Sequence, residues 1–170
     1  AASPPRPPAP LLAPWPAAQA GDVEGSLVRP VVRGDRVVEY FGQIGQARLF
    51  ERPRRFDEAE TDYKSAAYSD NPSEMATLAY GGFLERRGRR ADALALYAGA
   101  LAQDPGNTAL TMAETRARAG KSAPAQLSVR EGAAEALLAP AATMLAARQN
   151  QVALAYLRLS LRLDPNRDQA

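Results

Sequence analysis

EMATLAYGGFLERRGRRADALALYAGALAQDP, residues 74–105, is the stretch on which the fold turns. Its first half ends at Arg86-Arg87-Gly88, a helix stop followed by a turn. Its second half sets Ala93, Leu96, Tyr97, Ala100 and Leu101 at i, i+3, i+4, i+7 and i+8, which is one face of a helix. Pro105 then blocks continuation, because its ring lacks the N–H and clashes with the preceding turn. The stretch therefore predicts two helices joined by a tight turn.

The same order of residues appears on both sides of it. In 40–72, Ala47, Phe50, an Arg54-Arg55 turn, Ala59, Tyr63, Ala66 and Pro72 follow one another, with one extra residue before the proline. In 134–165 the order is Ala141, Met144, a Gln149-Asn150 turn, Ala153, Leu157, Ser160 and Pro165. A period of about 34 residues with two helices per unit is the pattern of a solenoid. Pro140 falls inside the first helix of the third unit and is expected to kink or restart it. Between the second and third units, Asn107 to Ala119 reads as a single helix, and Gly120 to Ser128 as a loop around Pro124. The octet Tyr156 to Leu163 alternates like a strand, but its Leu and Arg residues favour helix and none is β-branched. Helix is the expectation there.

Residues 1–29 read as a Pro-rich tail or linker. Seven of the 14 prolines lie in the first 16 residues, where they remove amide donors and suit polyproline II. Pro4-Pro5-Arg6-Pro7-Pro8 fits a PxxP-type ligand, although a spacer is the simpler reading. Trp15, between Pro14 and Pro16, is a candidate to dock on the body of the protein. Val31, Val32, Val37 and Val38 flank Gly34-Asp35, which marks a turn or the approach to the first helix.

Composition narrows the chemistry. Apolar residues are 46% of the 170, and 36 of them are alanine, so the core must come from close helix–helix contacts with few bulky side chains. There is no cysteine and no histidine, which removes disulfides, thiolate or imidazole metal sites and nucleophile–His arrangements. Net charge is +2, and no apolar run approaches the roughly 20 residues of a membrane span. Gly120-Lys121-Ser122 lacks the glycine and the strand that a phosphate-binding loop needs. Asp57, Glu58, Glu60 and Asp62 begin a helix, where carboxylates complement the dipole. An enzyme, a cofactor and a metal are not expected. The small residues at the start fit a mature exported or periplasmic protein, and equally a cytoplasmic fragment.

These residues resemble the tetratricopeptide repeat of bacterial-type helical scaffolds. The central unit carries the likeness in Tyr80, Gly81, Leu84, Ala93, Tyr97, Ala100 and Pro105, while Thr77 replaces the usual bulky aromatic. The resemblance covers roughly 40–105 and 131–165. It implies an all-α fold, a right-handed superhelix of antiparallel helix pairs over 30–170, behind the Pro-rich extension. It also implies a concave groove lined by Phe41, Ile44, Arg48, Glu51 and Arg52, then Met75, Leu78, Gly82, Glu85 and Arg86, then Glu135, Leu138 and Ala142. Chaperone-binding members clamp a terminal carboxylate with Lys and Asn, whereas Ile44/Arg48 and Leu78/Gly82 hold those slots here. A hydrophobic helix or an extended peptide is the expected ligand. The competing expectation is that these residues pack against segment 17–38 or the next solenoid turn.

Stacked repeats would also align Arg52-Pro53-Arg54-Arg55 with Arg86-Arg87-Gly88-Arg89-Arg90. Arginine forks there suit phosphate or carboxylate. The leading function is thus a scaffold or adaptor that binds a partner protein within a larger assembly. The alternative is a basic edge, Arg54, Arg55, Arg87, Arg89 and Arg90, that meets an anionic polymer or membrane surface. Nucleic acid is disfavoured, since stacking aromatics are scarce among these arginines. The last helix has apolar side chains in more directions than one neighbour covers, which predicts further repeats or a capping partner there.

Overall fold

The computed structural model describes residues 12–28, 36–70 and 72–165, and every regular element among them is an α-helix. In chain order these are α1 (Pro14–Ala20), α2 (Val23–Ser26), α3 (Arg36–Glu51), α4 (Phe56–Ala67) and α5 (Glu74–Arg86). They are followed by α6 (Arg90–Gln103), α7 (Thr108–Arg118), α8 (Val129–Ala136), α9 (Leu138–Ala146) and α10 (Asn150–Leu163). No described helix is long and apolar enough to cross a membrane.

One local device closes four of these helices. Arg54, Gly88, Gly120 and Arg148 each adopt the left-handed conformation, with φ of 64°, 76°, 69° and 58°. The following amide reaches back to a carbonyl five residues earlier: Arg55 to Phe50, Arg89 to Leu84, Lys121 to Arg116 and Gln149 to Met144. This is the Schellman turn, which satisfies the last carbonyls of a helix. The helices that leave two of these turns also end alike. Asp104 and Asp164, each before a proline, have φ/ψ of −133°/82° and −133°/87°.

The chain forms two compact units, one from residues 56–126 and one from residues 1–55 together with 127–170. In the first of these, α4 to α7 pack in order, each on the next. Its core sets large against small. Tyr63, Phe83 and Tyr97 are fully buried beside Ala59, Ala66, Ala93 and Ala117. Tyr63 and Phe83 meet at 5.2 Å between ring centroids, and Tyr80 and Phe56 extend the cluster. Gly81 admits Tyr97, since a Cβ there would lie 2.3 Å from the tyrosine ring and hydroxyl.

In the other unit, α10 packs on α9 and α8, while α3 packs on α8 and α9. Ser160 is buried and donates its hydroxyl to the Ala134 carbonyl at 2.8 Å. Ser128 and Glu131 form a reciprocal capping box that starts α8. Pro140 restarts the helix as expected: α8 ends at Ala136 and α9 begins at Leu138, so the proline falls in a first turn that needs no N–H.

Two expectations meet a different outcome, and a third holds. The tail assigned to 1–29 contains helices α1 and α2, because Pro14 and Pro16 lie in the first turn of α1, where proline is tolerated. The helix pair expected over 40–72 is divided, with α3 in one unit and α4 in the other. Residues 156–163 lie in α10, so the strand alternative is set aside. Residues 1–11 and 29–35, with the PxxP stretch and Val31, Val32 and Gly34-Asp35, lie outside the described residues.

Candidate functional site

Ser73 starts α5 by accepting the Ala76 amide at 3.1 Å. From there Met75, Leu78, Gly82 and Arg86 recur every three or four residues and share one side of the helix. Met75 and Leu78 are half-buried. At Gly82 the Pro124 ring lies in ordinary contact, with its Cγ 3.5 Å from where a Cβ would stand. Arg86 donates from Nη1 to the Pro124 carbonyl at 3.0 Å. The irregular segment Lys121–Ser128 thus has its backbone held on this face at Pro124 by the Arg86 guanidinium.

Glu85 points elsewhere. Its side chain is 2% exposed, paired with Arg116, and accepts the Tyr97 hydroxyl at 2.9 Å. Burial, and then the bond to Glu85, push the Tyr97 hydroxyl well above the ordinary tyrosine range. Glu85 is therefore an internal tie between α5, α6 and α7. A carboxylate expected in the groove is instead buried, because Arg116 and Tyr97 supply its partners.

In the other unit the expected groove residues also divide. Ile44 is fully buried and Glu51 is buried. Arg48 and Glu135, both expected to contact a ligand, form an ion pair with each other. Arg52 donates from Nη1 to the Leu127 carbonyl at 3.1 Å. Leu138 is half-buried and Ala142 is exposed, and the side chain of Phe41 lies outside the described residues. Arg52 and Arg86, 34 positions apart, each hold a backbone carbonyl, one at Leu127 and one at Pro124.

Four of the five arginines of the expected basic ridge have partners inside the protein. Arg87 lies 3.7 Å over the Phe56 ring and Arg55 lies 5.2 Å over Phe50. Arg89 pairs with Glu60 at 2.6 Å and with Asp92 at 2.7 Å. Burial alone would raise the Glu60 carboxyl, but bonds from Arg89 and Tyr80 hold it below its ordinary value. Arg90 reaches the carbonyls of Gly120 and Lys121, both at 3.4 Å. Arg54 is the exposed left-handed turn residue.

Sequence reasoning left two features out. The roles of Arg116 and Pro124 depend on partners 31 and 38 residues distant, which no local period reveals. The seat of Trp15 depends on Gly45 and Gly132, which read as ordinary helical residues. The surplus apolar face of α10 is present: Leu154, Leu159 and Leu161 are 46%, 42% and 40% exposed. No family model, curated protein or solved structure matches the chain.

Proposed function

We propose that this chain is a protein–protein interaction scaffold of the tetratricopeptide type, which holds an extended segment of a partner along the α5 face. The carrying observation is the hold on Pro124. Arg86 donates to a main-chain carbonyl, which every peptide offers, and the Pro124 ring lies within van der Waals reach of Gly82. Half-buried Met75 and Leu78 continue that face with apolar surface for partner side chains. The exposed leucines of α10 support a second apolar contact, consistent with work inside a larger assembly. The basic edge has less support, since Arg55, Arg87, Arg89 and Arg90 are engaged within the protein.

Affinity capture at low and high salt, beside Leu78→Glu, tests the assignment. The partner is expected to survive high salt and to be lost from the variant, with circular dichroism showing the variant folded. A partner retained by Leu78→Glu overturns the α5 face. Material that washes off with salt and ignores Leu78 would favour the arginines instead.

A further inference from the structure

Trp15 is the single tryptophan of the chain, and it is 4% exposed. It sits in a notch with Leu49 of α3 and Ala133 of α8. Gly132 opens the notch and Gly45 lines it. A Cβ on Gly45 would touch the indole at 3.6 Å, and one on Gly132 would fall 2.2 Å from its ring. Leu12, Ala18 and Leu27 add apolar contact around it.

Among the described residues, nothing polar ties this segment to the rest of the unit. Among described residues 12–28, the hydrogen bonds are internal: Gly21 to Ala18, Asp22 to Ala17, Gly25 to the Asp22 side chain, and the Ser26 hydroxyl to Val23. The segment's two helices attach to the unit by apolar contact, with the Trp15 indole at the centre and Leu12, Ala18 and Leu27 around it.

We infer that the Gly45–Gly132 notch is a docking site in its own right, and that it accepts the Trp15 segment of a second copy of this chain. The contacts are identical whether the segment comes from the same chain or another, which is the condition for exchange of an element between copies. Tethering favours the internal arrangement, because a short linker supplies the segment at an effective concentration of about millimolar. Exchange therefore shows only at high concentration, or when the internal pairing is blocked.

Complementation tests this with full chains. Gly132→Ala blocks the notch but keeps the tryptophan, and Trp15→Ala keeps the notch but lacks the tryptophan. Each alone is expected to be monomeric, with solvent-exposed tryptophan emission from the Gly132→Ala chain. Mixed, they are expected to form a 1:1 heterodimer by light scattering, with emission shifted to the blue. Two variants folded by circular dichroism that give neither change overturn the inference. If Gly132→Ala fails to fold, a synthetic peptide of residues 10–28 takes its place, and absence of the blue shift with Trp15→Ala is equally fatal. The unmodified chain supplies an arm free of variants: a dimer is expected as concentration nears millimolar, and a strict monomer there excludes exchange.

Discussion

Tyr97 reaches Glu85 because residue 81 has no side chain. Gly99, on the same helix as Tyr97, has nothing within 4 Å of its missing Cβ. The two glycines should therefore answer alanine with opposite signs. Gly81→Ala is expected to destabilise by about 1–3 kcal/mol through overpacking, even though alanine is the better helix former. Gly99→Ala is expected to stabilise by about 0.5–1 kcal/mol, since the backbone is already helical and the space is open. Urea titration of both variants checks this, and equal signs would remove the steric account of Gly81. The Gly81–Tyr97 pair was legible from the order of small and aromatic residues in 74–105. Glu85 was not. Its position on α5 fitted a groove, and only Arg116, 31 residues later, makes burial tolerable.

Among the helices, the turns were the most readable elements and also hid a cost. Gly88 and Gly120 take the left-handed conformation freely, whereas Arg54 and Arg148 take it against their Cβ. Arg148→Gly is expected to stabilise by up to about 1 kcal/mol, after the greater freedom of glycine in the unfolded chain is set against the relief. Thermal unfolding should show a higher midpoint, and a lower one would mean that the Arg148 side chain holds something the turn needs. The period of 34 gave the turns at 54 and 88 because a helix stop is a local event. The N-terminal helix escaped notice for an equally local reason. Proline-rich sequence reads as extended, yet two prolines within a first turn cost a helix nothing.

At the scale of the molecule, helical class was legible and pairing was only partly so. An amphipathic pattern says which face of a helix is buried and not which helix buries it. Hence α5 and α6 pair as neighbours in sequence, while α3 packs on α8 and α9 and leaves α4 to the other unit. The unit of residues 56–126 is continuous and can close as soon as it emerges from the ribosome. Its companion is built from both ends of the chain, so α3 and the indole of Trp15 must wait, uncovered, until α8 has been synthesised. Pulse-labelled hydrogen exchange during refolding is expected to protect α4–α7 before α3, since nearby contacts close faster than distant ones. Simultaneous protection would mean that the two parts fold as one. Until α8 and α9 have been synthesised, the nascent chain carries α3 with Ile44, Ala47 and Leu49 bare of the helices that pack on it in the folded unit.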